Sequence, residues 1–178
     1  MRKTIERNDD FLAITVAEAK QWCRIDENAD DILLEGLIRA ATDAAEAFTN
    51  RAIVPATIEF SYKSGEACFA IPTAPVVAAS KVELETSKGA RTELPAESAY
   101  WLRVSDSGAV LTLTGHSRGK QTLVATCSVG YAGAASVPRG IKLAISTHVG
   151  SAYEGREGQD TAKDTFENLL RPFVVSAI

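Results

Sequence analysis

The sequence predicts an α+β chain, a mainly helical core of about four helices carrying an inserted small antiparallel β unit. Three observations predict it. Before residue 50 and after residue 137, apolar residues recur at three- and four-residue steps, the period of a helix with one buried face. Between about residues 57 and 130 the period becomes alternation, cut by Gly- and Pro-containing turns. The length, 178 residues, suits one real core rather than two comfortable domains. A single domain over 13–172 is expected, with 57–130 as its β insertion and with 1–12 and 173–178 as flexible tails.

Thr15 opens the first helix, over about 15–23, because Thr15 and Glu18 make a T-x-x-E capping box. An acidic turn follows, in which Asn28 is placed to cap the helix Asp31–Thr49. Leu34, Leu37, Ile38, Ala41, Ala45 and Phe48 fall on one face of that helix. Glu35, Arg39, Thr42, Asp43 and Glu46 fall opposite, on the polar face. Gly36, Ala40, Ala44 and Ala47 form a ridge of small residues between them. Pro55 keeps the helix from resuming. Strands are expected at 57–63, 68–71, 81–86, 100–104, 110–114 and 122–129, with Ser64-Gly65 as a turn and Pro72 and Pro75 bracketing a linker. Pro138 suits the first position of a helix over 138–154, striped by Ile141, Ile145, His148, Val149 and Ala152. Gly140, Ala144, Thr147 and Ser151 make a second small ridge beside that stripe, so the two long helices are expected to pack closely. Thr161 and Asp164 are placed to cap a last helix over 162–170, closed by Arg171-Pro172.

Net charge is −4, with no long run of either sign. That argues against a protein that grips nucleic acid by its phosphates. Residues 1–55 hold eleven carboxylates against seven Lys and Arg, so the negative excess lies in the N-terminal helices. Cys23, Cys68 and Cys127 have no close spacing and read as buried, reduced thiols. With only His116 and His148 beside them, no metal site and no cofactor is expected. The N-terminus has no apolar h-region, so no signal peptide is expected, and no window is apolar enough to span a membrane.

Gly115-His116-Ser117-Arg118-Gly119 matches the G-x-S-x-G nucleophile elbow. The elbow must join a strand to a helix, yet another strand follows here, and no Asp or Glu lies between Ser117 and His148. A hairpin turn is the better reading, and no catalytic residue is assigned. His148 reads as a core or interface histidine, and Arg156-Glu157 as a surface or interface charge pair. Gly130-Tyr131-Ala132-Gly133 lacks phosphate-loop spacing. Trp22 and Trp101 have no interleaved basic residues of a stacking platform.

What remains is surface. The two small ridges offer more apolar face than a monomer needs, so Gly36, Ala40, Ala44, Ala47, Gly140, Ala144, Thr147 and Ser151 are candidate contacts with another subunit or a partner. The apolar, β-prone tail adds Phe173, Val174, Val175 and Ile178, expected to dock as an added strand on a partner.

The ordered set of local patterns resembles a known family. Thr15-Val16-Ala17-Glu18-Ala19-Lys20, Cys23-Arg24-Ile25-Asp26 and Asp30-Asp31-Ile32-Leu33-Leu34 match its N-terminal signature, continued by Ala44-Ala45-Glu46-Ala47-Phe48-Thr49-Asn50-Arg51. Val129-Gly130-Tyr131, Val137-Pro138, Ile141-Lys142-Leu143-Ala144-Ile145, Tyr153-Glu154-Gly155-Arg156-Glu157 and Leu169-Leu170-Arg171-Pro172 match its C-terminal half. The family is that of the head–tail connector, or adaptor, proteins of tailed bacteriophages, also labelled possible DNA-packaging proteins, with relatives in prophages and gene transfer agents. The chain departs from it at His148-Val149-Gly150-Ser151, where the family is bulkier, and in a longer β section.

The resemblance implies a structural virion protein without catalytic residues, made in the host bacterial cytoplasm and residing at the head–tail junction. It implies a ring of about twelve copies beneath the portal protein, in contact with a tail or stopper protein, through which DNA passes without specific binding. The alternative is a small soluble bacterial binding module whose β unit is the ligand surface.

Overall fold

The computed structural model describes residues 1–63, 67–96, 98–114, 121–155 and 159–175, of which 159–162 as backbone only. They form two compact units, a helical one of Asp9–Val54 and Tyr131–Val174, and a β one of Met1–Asn8, Pro55–Gly130 and Val175–Ile178. The α+β class is as the sequence predicts.

The helical unit contains α1 (Val16–Cys23), α2 (Asp31–Thr49), α3 (Arg139–Tyr153) and α4 (Gln159–Leu170). The capping box of α1 is complete: Thr15 N–H donates to Glu18 Oε2 at 2.7 Å, and Glu18 N–H donates to Thr15 Oγ1 at 3.1 Å. The Asn28 cap on α2 is not made. The Asn28 side-chain oxygen accepts from Lys20 Nζ instead, and Asp30 stands at the cap position with its carboxylate taking the Tyr153 hydroxyl at 2.5 Å. Asn50 ends α2 in the left-handed conformation, φ 54°. Pro138 precedes α3 as its cap rather than opening it. The backbone of α4 starts at Gln159, ahead of the Thr161 and Asp164 caps expected for it.

Leu34, Ile38, Ala41 and Ala45 of α2 share one core with Ile141, Ala144, Ile145 and Val149 of α3 and Phe166 and Leu170 of α4, all buried. The expected contact of the two long helices is therefore present. Two polar-face residues depart from expectation. Thr42 is buried and satisfies its hydroxyl on the Ile38 carbonyl at 2.7 Å. Glu46 Oε1 accepts the Ile53 and Val54 N–H groups at 2.6 and 2.8 Å, holding the chain as it leaves α2.

The β unit has eight described strands, where six were expected. A five-stranded sheet runs in the order β1 (Arg2–Arg7), β2 (Ala56–Lys63), β8 (Gln121–Val129), β4 (Val76–Thr86), β5 (Arg91–Glu93). A three-stranded sheet runs β3 (Cys68–Ile71), β7 (Gly108–Leu113), β6 (Tyr100–Ser105). Every ladder is antiparallel. Strand β8 is central, with Ala125 opposite Phe60 on one side and Val82 on the other. Ile58, Phe60, Val82, Leu123, Ala125 and Cys127 of the larger sheet and Phe69, Ile71, Leu111 and Leu113 of the smaller are buried. Tyr62 links the sheets: its ring lies 5.3 Å from that of Phe69, and its hydroxyl donates to the Ala70 carbonyl at 2.6 Å.

Three expectations are corrected. Residues 1–12 are not wholly a tail, since Arg2–Arg7 pair with β2 and the Met1 ammonium donates to the Ser61 carbonyl at 2.7 Å. The linker after Pro75 is the first half of β4. The C-terminal tail is built in as far as it is described: Arg171–Phe173 form a 3₁₀ turn, Arg51 Nε donates to the Phe173 carbonyl at 2.6 Å, and Val175 is 3% exposed. Ser64-Gly65 and Ser176-Ala177-Ile178 lie outside the described residues.

Candidate functional site

The two small ridges end up in different surroundings. On α2, Gly36, Ala40 and Ala47 are exposed and Ala44 is half-buried. A Cβ added at Gly36 would meet nothing within 4 Å. Ile32, 87% exposed, and Leu33, 53% exposed, continue this face toward the start of α2. It is flanked by an Arg39–Glu35 ion pair at 2.8 Å. Among the described residues nothing covers this apolar and small-residue face.

On α3 the ridge is largely filled from within the chain. Ala144 is fully buried. A Cβ at Gly140 would stand 2.7 Å from the Phe173 ring, and one at Gly150 would stand 3.2 Å from the Trp22 indole. Thr147 and Ser151 are half-buried, and the Thr147 hydroxyl donates to the Leu143 carbonyl at 2.9 Å. A subunit contact at Gly140 or Ala144 would first have to displace this chain's own side chains. Val174 is 43% exposed and Val175 is buried, while Ile178 lies outside the described residues.

Polar contacts fix the helices that carry the exposed face. Lys142 Nζ of α3 meets Glu18 Oε1 of α1 at 2.9 Å, and Lys20 meets Asp31 at 2.9 Å. The Thr15 N–H, and then Lys142, hold the Glu18 carboxyl below its ordinary range.

The chemical candidates gain little. His148 lies against Phe166, ring centroids 4.7 Å apart, as a packed histidine. The G-x-S-x-G stretch with Ser117, and the Arg156-Glu157 pair, lie outside the described residues. Among the described residues no three His, Cys, Asp or Glu side chains are grouped to hold a metal. No helix there is long and apolar enough to cross a membrane. The thiols are not all buried: Cys127 is, Cys23 is half-buried, and Cys68 is exposed beside Thr112. Cys68 is the first residue of β3, where the alternation points it outward.

The described residues make a two-unit α+β frame with an exposed face on α2. Residues 13–84 match the family model described as Phage gp6-like head-tail connector protein, so the resemblance read from the sequence is borne out from just before α1 into β4. Over its whole length the chain shares the fold of chains from gene transfer agent particles. One is from the neck of an empty particle computed with C6 symmetry, at TM-score 0.80 and 17% identity. Another is from the virion of a native particle, at TM-score 0.80 and 18% identity. A third is from the neck of a native particle computed with C12 symmetry, at TM-score 0.78 and 18% identity. Each alignment covers 100% of this chain and 97% of the other. Among curated proteins no relative matches.

Proposed function

We propose that this chain is a structural connector of a phage-like particle, residing at the head–tail junction of the virion. Copies form a ring of about twelve beneath the portal protein and above a tail or stopper protein, and DNA passes through it without specific binding. The observation that carries this reading is the whole-length fold shared with a neck computed with C12 symmetry, joined to the connector-family match over α1, α2 and the first strands. The exposed face of α2, from Ile32 and Leu33 through Gly36 and Ala40 to Ala47, supplies one side of the contact between copies. The acidic N-terminal helices fit a wall past which DNA must move, since like charges repel within a Debye length.

Electron microscopy of the purified protein with and without its portal tests the proposal. Closed rings on portal are expected for the native chain, and isolated single copies for Ala40→Arg. Head–tail joining that proceeds with only single copies bound would overturn it.

A further inference from the structure

The sheet edges of the β unit are unequally protected. Strand β1 carries a register shift between Thr4 and Glu6 and four charged residues, Arg2, Lys3, Glu6 and Arg7. Strand β5 is three residues long, and β3 is four residues long and followed by Pro72. The part of β4 that precedes its pairing with β5 is kinked by two register shifts. Bulges, charges, prolines and shortness are the devices that keep an edge from pairing with another chain. Strand β6 has one charge, Arg103, over six regularly paired residues.

Its main-chain groups with no partner among the described residues can be named. Thr114 N–H donates to the Ala99 carbonyl at 2.8 Å, and hydrogen-bonded pairs alternate along an antiparallel ladder. Trp101–Thr112, Arg103–Val110 and Ser105–Gly108 are then the bonded pairs. The N–H and C=O groups of Leu102 and Val104 point away from β7, to the open edge. Val104 is 48% exposed and Trp101 is 49% exposed. The Arg103 guanidinium lies 5.9 Å from the centroid of the Trp101 ring, and no described carboxylate pairs with it. Trp and Arg are the residue types that anchor interfaces.

We infer that the β6 edge accepts an extended, acidic segment of a partner protein as an added strand. Leu102 and Val104 bond its backbone, Arg103 pairs with a carboxylate on it, and Trp101 covers the neighbouring apolar side chain. This inference stands on β6 alone and holds or fails independently of the connector reading.

The test uses the full chain and a short blocked peptide of alternating valine and threonine with one central glutamate, against the same peptide with lysine there. Amide exchange is followed by NMR. The glutamate peptide is expected to slow exchange at Leu102 and Val104 and to bind about tenfold tighter than the lysine peptide. Arg103→Glu should reverse that preference. Val104→Pro removes an outward N–H without touching the ladder to β7, and should abolish the protection. If that variant does not fold, Arg103→Glu carries the test. Equal binding of the two peptides, or protection elsewhere, overturns the inference. So does protection at Leu102 and Val104 in the free chain that rises with its concentration, which would give the edge to a second copy.

Discussion

Gly140 and Gly150 are where α3 lets aromatic rings from elsewhere in the helical unit lie on its backbone. At Gly140 a methyl group would overlap the Phe173 ring at 2.7 Å. Gly140→Ala is therefore expected to destabilise the chain by about 1 kcal/mol even though alanine favours the helix. In Phe173→Ala the same substitution should cost nothing or stabilise, and a double-mutant cycle in urea measures the coupling. At Gly150 the Trp22 indole takes the space a side chain would need. The thiols differ in a testable way. Cys68 should be alkylated first and Cys127 only after unfolding, as peptide mapping would show. Burial pushes the Cys127 thiol up to about 11. A raised folded value means its contribution to stability is fully present below the ordinary thiol value. It is lost as pH rises through about 11, so alkaline denaturation should come later for Cys127→Ala.

Helix α1 depends on its first turn, so Thr15→Ala should lower stability by about 1 kcal/mol, read from a thermal or denaturant midpoint. Because the folded value of Glu18 is depressed, its contribution is present at neutral pH and lost as pH falls through that value. Glu18→Gln should accordingly flatten the acid side of the stability profile, modestly, since the Glu18 side chain is 46% exposed, whereas Thr15→Ala keeps the Thr15 N–H and should leave that slope nearly unchanged. The span of α2 was legible because burial on one face repeats along the whole element, and β3 because the sequence pair Ser64-Gly65 and Pro72 bound a short apolar run. Strand β1, Arg-Lys-Thr-Ile-Glu-Arg, has no alternating face to read, as main-chain pairing to β2 holds it. Strand β5 is fixed by Arg91, which meets Glu85 of β4 at 2.7 Å and Glu59 of β2 at 2.8 Å, an arrangement that exists only once the strands are side by side. The α3 ridge reads as open in the sequence because Phe173, which covers Gly140, comes from a distant part of it, as does Trp22, which covers Gly150 beside the ridge.

For the molecule as a whole, burial separates assembly from folding. Ala40 is exposed, so Ala40→Arg should change stability by less than about 0.5 kcal/mol, while under the proposed function it removes the ring. Ala144 is fully buried, so Ala144→Arg should unfold the helical unit before assembly can be asked about. Glu46→Arg is no neutral control for either, because it removes the acceptor of two backbone N–H groups. Removing the chain from Phe173 onward should likewise destabilise the fold, whereas removing only 176–178 isolates any role of the extreme tail in attachment to the head. Circular dichroism melts beside electron microscopy of each variant separate the two effects.

Strand β8 is the last described strand in sequence yet lies at the centre of the larger sheet, between β2 and β4. During synthesis, β1, β2, β4 and β5 leave the ribosome before the strand that joins them exists. The larger sheet thus cannot be completed progressively from its N-terminus, and its early strands wait with open edges. The charges of β1 guard that strand while it waits, whereas the register shifts of β4 arise only in its ladder with β8. A force-sensing arrest sequence placed after successive strands should register folding of this sheet only once Val129 has cleared the ribosome, and a chain stopped before Gln121 should be the one that aggregates or is degraded.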